Sequence, residues 1–153
     1  MTAAGLMNVS TPAGGARRGS GPGRVVLERA SSTRGAMAPL HSRDEDETFT
    51  MVEGELTFFV GAHVVPAKAG DVVVVPRHVP RTIRVESDRA RWLVATRARS
   101  PARFDDFGRA LARPLERGAA VWTSAEDEAT LRALGAANGT AVLGPPGRLP
   151  SEL

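Results

Sequence analysis

The sequence predicts an all-β fold, built as an antiparallel barrel or sandwich. Short β-rich runs separated by glycine, proline and aspartate fill residues 24–98. Within residues 47–52, Phe49 and Met51 alternate with threonines, which is the two-residue period of a half-buried strand. From residue 99 the apolar side chains follow a helical period instead, so we predict two short C-terminal α-helices after the barrel.

The predicted strands follow one another in short steps between turns. They lie at residues 25–27, 37–41, 47–52, 55–60, 64–65, 71–75, 82–86 and 91–96, with a further extended piece at 141–143. The continuous valine run of 71–75 is typical of a strand covered on both faces. Residues 6–9 are a candidate edge strand, in this chain or on a neighbouring subunit.

The two ends of the chain differ from this middle part. Residues 1–23 are rich in glycine, alanine, serine and proline, and they hold too few apolar side chains to offset the entropy of ordering. We therefore expect a flexible segment there. After a barrel at 24–98, residues 99–153 are predicted to form a helical extension, with helices at about 101–112 and 125–137 packed on the outside of the barrel.

Composition excludes several classes of function. The chain has no cysteine and no tyrosine, so thiolate nucleophiles, cysteine metal sites and phenol acids are excluded. The net charge is +3, and arginines alternate with acids without the interleaved aromatics of a nucleic-acid surface. No apolar run reaches membrane-spanning length, and no leader-like apolar core begins the chain. We expect a cytoplasmic protein that binds neither nucleic acid nor membrane.

Two stretches between residues 35 and 85 carry most of the information about function. The first has the spacing Gly35, His41, Arg43, Glu47 and Gly54. His41 and Arg43 have the same strand parity, so both side chains can point into a barrel.

The second stretch has the spacing Gly70, Pro76, His78, Arg81 and Val85. Together the two resemble the motifs of the cupin family, Gly-x5-His-x-His-x(3 or 4)-Glu-x6-Gly and Gly-x5-Pro-x-Gly-x2-His-x3-Asn, as in small single-domain bacterial cupins of the quercetinase-like kind. That resemblance implies a double-stranded β-helix, or jelly-roll, barrel. It also implies one divalent metal held inside the barrel by three imidazoles and a carboxylate.

The resemblance fails at two of the four ligand positions, because Arg43 and Arg81 stand where the family has histidine. A guanidinium stays protonated, offers only hydrogen-bond donors and repels a cation. One interpretation is a stabilising charge cluster around Glu47. The other is a cationic site that holds a carboxylate, enolate or phenolate of a ligand, with His41 beside it as an acid–base group of near-neutral pKa.

Three functional hypotheses follow. The first is a metal-independent enzyme of specialised metabolism that catalyses a proton-transfer step (isomerisation, cyclisation or dehydration, hence an isomerase, cyclase or lyase) on a small oxygenated substrate. In it His41 moves the proton, Arg43 and Arg81 hold the oxyanion, and Glu47 orients them. The second is a dioxygenase with Fe, Ni, Mn, Cu or Zn at His41 and Glu47, assisted by His78. The third is a ligand-binding cupin without activity.

The remaining expectations concern the surroundings of this site. Residues predicted to line the substrate-binding wall are Phe49, Met51, Ile83, Trp92 and His78. His63 lies on a predicted hairpin and is expected at the surface. Because open sheet edges need covering, and by resemblance to the family, we also expect a homodimer.

Overall fold

The computed structural model describes residues 8–10, 24–98, 129, 132, 133, 135–137 and 139–153, and these form a mostly β structure. The strands are β1 (Asn8–Ser10), β2 (Arg24–Thr33), β3 (Leu40–Arg43), β4 (Glu47–Glu53), β5 (Glu55–Val60), β6 (His63–Lys68), β7 (Val72–Val75), β8 (Arg81–Val85), β9 (Arg89–Ala98) and β10 (Thr140–Gly144). A single 3-10 turn follows at Pro150–Glu152. The predicted all-β class is therefore confirmed.

The ten strands form two five-stranded antiparallel sheets. Sheet A has the order β1-β2-β9-β4-β7, and sheet B has the order β10-β3-β8-β5-β6. The chain crosses repeatedly from one sheet to the other, so that β4 pairs with β9 and β5 pairs with β8. This is the jelly-roll arrangement that the sequence predicted, and it places strands distant in sequence side by side.

The apolar core lies between the inner faces of the two sheets. Phe49 of β4 meets Phe58 of β5 edge to face, with ring centroids 5.0 Å apart, so the two sheets are joined through this aromatic pair. Trp92 and Met51 are paired in register on sheet A and both are buried. Along β4 and β9 burial alternates from residue to residue, as the period of two in the sequence requires.

Each sheet has one edge strand from outside the predicted barrel range of 24–98. β1 pairs with β2 of the same chain at one edge of sheet A, in agreement with the predicted edge strand. β10 pairs with β3 and completes sheet B, so residues 140–144 belong to the barrel and not to a helical extension.

The C-terminal helices can be compared with the structure only in part. The described residues between 129 and 137 are helical, in agreement with the second predicted helix. The predicted helix at 101–112 lies outside the described residues. Among the described residues, no helix is long and apolar enough to cross a bilayer.

The prediction that the valine run is covered on both faces is wrong. β7 is the outermost strand of sheet A, and Val72 and Val74 are 60% and 62% exposed. Val75 is fully buried against the core. A run of β-branched residues thus marks the strand but does not show whether a second layer covers it.

The motif glycines lie at turns that need positive φ. Gly54, between β4 and β5, has φ +77°, and Gly70, before β7, has φ +94°. At Gly54 a Cβ atom would also collide with the backbone carbonyl of Arg89 and with Ser87 Oγ, whereas at Gly70 it would meet nothing.

These two glycines form a matched pair for a stability test. Gly70→Ala should lower the free energy of unfolding by about 1 kcal/mol, because only the left-handed backbone is unfavourable for alanine. Gly54→Ala adds a clash with rigid backbone, and its loss should be at least about 2 kcal/mol larger. Urea unfolding monitored by tryptophan fluorescence measures both. Equal losses of unfolding free energy in the two variants would mean that the backbone around Gly54 can move to make room for a Cβ atom.

Candidate functional site

One end of the barrel interior is polar, in contrast to the apolar core. β3 contributes His41 and Arg43, β8 contributes Arg81, and β4 of the opposite sheet contributes Glu47. His41 and Arg81 are directly paired in register across β3 and β8, so their side chains share the inner face of sheet B. We call these four side chains the charged cluster.

The cluster is held by a buried ion pair between the two sheets. Arg81 Nη2 donates a hydrogen bond of 2.8 Å to Glu47 Oε1, and Arg43 Nε lies 3.9 Å from the same oxygen. Arg43 Nη2 also lies 3.8 Å from Glu45 Oε2. Arg81, Glu47 and Arg43 are only 2%, 5% and 7% exposed. Two guanidiniums thus flank one buried carboxylate, as the sequence predicted.

Arg81 uses only part of its hydrogen-bonding capacity within the protein. Besides the bond to Glu47, its Nη1 donates to the carbonyl of Val79 at 3.2 Å. Its Nε is buried and has no hydrogen-bond partner among the described residues. Burial lowers the pKa of Arg81 below its ordinary value, and the charge of Glu47 only partly offsets this effect. The guanidinium nevertheless remains protonated at physiological pH.

His41 is held in one tautomer. Its Nδ1 lies 2.7 Å from the carbonyl oxygen of Pro39, and because a carbonyl can only accept, Nδ1 carries the proton and Nε2 has the free lone pair. The pKa of His41 is lowered to about 4, mainly because the ring is buried. The charge of Glu47 acts to raise this pKa, and the charges of the two arginines act to lower it. The expected near-neutral pKa is therefore wrong, because the sequence did not reveal how far the ring is withdrawn from water.

The other predicted site residues divide into two groups. Phe49, Met51, Ile83 and Trp92 are all buried in the core between the sheets, so the structure brings them to the inner faces as predicted. Their contact with a substrate stays a prediction. His63 is exposed, as expected.

His78 has a side chain that is 67% exposed, and its Nδ1 lies 3.8 Å from Asp44 Oδ1. Its contact with a substrate or a metal stays a prediction. Its φ of +64° explains why the family motif has glycine at this position. The main-chain N–H of His78 donates to the carbonyl of Arg43 at 2.7 Å, so the residue shapes the turn beside the cluster.

Sequence reasoning missed three buried polar residues, two of which pair directly with members of the charged cluster. Thr96 on β9 pairs directly with Glu47, and Thr140 on β10 pairs directly with Arg43. Glu28 on β2 is 7% exposed and pairs with Val94, a core residue. Nothing local marks these residues, since their neighbours come from strands far away in sequence.

The four side chains of the charged cluster do not fit the metal that the family resemblance implies. The carboxylate of Glu47 already accepts a hydrogen bond from one guanidinium and lies near a second, and both would repel a cation. Only His41 Nε2 remains as a neutral donor, and two ligands beside two positive charges make a poor site. Within the described ranges, no group of three histidine, aspartate or glutamate side chains has a geometry that would hold a metal ion.

The buried ion pair can be tested by a double-mutant cycle. Arg81→Met should lower the free energy of unfolding by about 3–5 kcal/mol, because it leaves the carboxylate of Glu47 short of a partner. Adding Glu47→Leu removes that buried charge and should restore at least about 2 kcal/mol. The exposed pair of Arg91 and Glu53 is the control, and Arg91→Met should cost less than about 1 kcal/mol. Additive losses at Arg81 and Glu47 would contradict a coupled pair.

The low pKa of His41 predicts how stability depends on pH. Between pH 6.5 and about 4 the unfolded chain binds a proton at this histidine that the folded protein does not. The free energy of unfolding should therefore fall as pH drops through that window, by up to about 3 kcal/mol in total. His41→Gln should flatten this part of the curve, whereas His63→Gln, at an exposed site, should leave it unchanged. Urea unfolding at four pH values is the measurement, and parallel curves for all three proteins would refute the prediction.

We compared the chain with family models, curated proteins and solved structures. Residues 32–96 match the family model described as Cupin domain. A search of curated proteins finds no match. Similar solved structures include the DMSP lyase DddQ from Ruegeria pomeroyi DSS-3 (23% identity over 48% of this chain and 38% of that one, TM-score 0.46). A second is an RmlC-like cupin from Methanocaldococcus jannaschii (22% identity over 52% of this chain and 73% of that one, TM-score 0.48). A third is the polyketide cyclase RemF from Streptomyces resistomycificus (16% identity over 50% of this chain and 56% of that one, TM-score 0.45).

These structural similarities are too distant to carry an argument about activity, and the chain spans only 38% of the length of the lyase and 56% of that of the cyclase. The family match is more informative, because residues 32–96 contain the whole charged cluster and both motifs. The chain thus has two antiparallel sheets in jelly-roll order, and its residues 32–96 are similar to the Cupin domain family.

Proposed function

We propose that this protein is a metal-independent cupin enzyme that binds a small oxygenated organic anion inside the barrel and catalyses a proton-transfer step. The reaction class is isomerisation, cyclisation or dehydration. The observation that carries this proposal is the charged cluster itself, in which Arg43 and Arg81 flank a single buried carboxylate. At the positions where the family binds a metal cation, this chain has fixed positive charge of its own.

The role of the arginines follows from where charge develops in such a reaction. Removing a proton next to a carbonyl group creates an enolate, whose oxygen gains negative charge in the transition state. The Nε–H of Arg81 bonds no other described residue and is a donor available to that oxygen. Because the guanidinium is buried and already oriented by Glu47 and Val79, it needs little reorganisation when the charge forms.

The role of His41 follows from its tautomer. With Nδ1–H bonded to Pro39, the lone pair of Nε2 is available to accept a proton from the substrate. The low pKa of His41 keeps the ring neutral at physiological pH, so the basic form is always present. A bound anion would neutralise part of the arginine charge and raise this pKa during the reaction.

The experiment is exchange of substrate protons with solvent, because all three reaction classes begin with the removal of a proton. The full chain, purified without added metal, is incubated with 2-oxobutyrate in D₂O, and loss of the signal of the C3 protons is followed by NMR. We expect exchange above the buffer rate, and a fall of about 100-fold or more in His41→Gln and in Arg81→Lys. His63→Gln, at an exposed histidine, is the matched control.

Three results would contradict parts of this proposal. Equal exchange rates in all variants would remove the assigned roles of His41 and Arg81. Saturable binding of 2-oxobutyrate without exchange would favour a ligand-binding cupin that has no activity. Near-stoichiometric bound metal by elemental analysis, with loss of exchange on chelation, would favour the metal-dependent alternative.

A further inference from the structure

Two buried threonine hydroxyls beside the charged cluster make no hydrogen bond that would contribute to the scaffold within the described residues. Thr96 and Thr140 are 1% and 2% exposed. The Oγ1 atoms of both lack a hydrogen-bond partner among the described residues. A buried hydroxyl without a partner is destabilising, and valine would fill the same space without this penalty. Their presence calls for a role other than packing.

The strand register places each hydroxyl next to one member of the cluster. Thr96 is directly opposite Glu47 in the pairing of β9 with β4, and Thr140 is directly opposite Arg43 in the pairing of β10 with β3. Directly paired residues point to the same face of a sheet, with Cβ atoms about 4.5–5.5 Å apart. The two hydroxyls therefore enter the polar end of the interior from opposite sheets.

Two other threonines, both on sheet B, do have hydrogen-bond partners. Thr82 Oγ1 donates to the carbonyl of Ala38 at 2.7 Å, and Thr57 Oγ1 donates to Glu86 Oε1 at 2.7 Å. Unpartnered threonine hydroxyls are thus not a general property of these strands. They occur beside the cluster, where Arg81 Nε is also buried and has no hydrogen-bond partner within the part of the chain that the structure describes.

We propose that Thr96 and Thr140 are specificity-determining residues for a small carboxylate that carries a second oxygen, as a hydroxyl or an oxo group. The guanidinium of Arg81 binds the carboxylate of the ligand and the second oxygen on which charge develops. The threonine hydroxyls, which can donate or accept, also bond that second oxygen. This inference rests on the anion site of the proposed function. It adds the class of ligand and two residues outside both sequence motifs.

The test compares two acids that differ only in the second oxygen. Butyrate and 2-hydroxybutyrate are titrated into the full chain, and dissociation constants are measured by NMR shift changes. The wild type should bind 2-hydroxybutyrate about tenfold more tightly than butyrate. Thr96→Val and Thr140→Val should reduce this preference, with about twofold or less remaining in the double variant, and should leave the affinity for butyrate unchanged.

Thr82→Val is the matched control, because Thr82 is buried, adjoins Arg81 in sequence and uses its hydroxyl within the scaffold. It should lower the melting temperature and keep the tenfold preference. The variants at Thr96 and Thr140 should melt at or above the wild-type temperature. A fall like that of Thr82→Val would reveal a structural partner for these hydroxyls and overturn the inference.

The outcomes separate the inference from the function beneath it. Suppose that the wild type binds butyrate and 2-hydroxybutyrate equally and that Arg81→Lys binds neither. The anion site is then supported, and the role of the threonines is refuted. If the wild type binds neither acid, the anion site fails, and the inference falls with it.

Discussion

A charge buried in a protein must have a partner, and this requirement organises the interior of the barrel. Arg81 and Glu47 come from different sheets and meet at 2.8 Å where both are almost completely enclosed. Each alone would be very costly to bury, so the pair is stable only when the two sheets are in contact. The pKa values of His41 and Arg81 are lowered for the same main reason, which is that both side chains lose their hydration in this enclosed region.

Much of the scaffold could be predicted from local sequence. Turn glycines such as Gly54 and Gly70 mark points where only a residue without Cβ is unstrained, and alternation of apolar residues marks the strands between them. The charged cluster could be predicted for a related reason. His41 and Arg43 share strand parity, and the motif spacing brought Glu47 and Arg81 to the same interior.

The residues that sequence reasoning missed all depend on long-range pairing. Thr96 adjoins Glu47 only because β9 pairs with β4, and Thr140 adjoins Arg43 only because β10 returns to β3. No local pattern specifies those neighbours. The environment of His41 was hidden for a similar reason, since desolvation depends on every element around the ring. The positive φ of His78 was not predicted either, because the residue type gives no sign of it.

The exposed valines of β7 have a consequence for the behaviour of the protein at high concentration. A strand at the rim of a sheet leaves main-chain groups unpaired, and a valine-rich rim can recruit a strand from another molecule. Here the run is only four residues long, and it is bounded by the charge of Asp71 and by Pro76, which has no N–H to donate. The motif proline thus has a second use: it shortens the stretch along which a foreign strand could add.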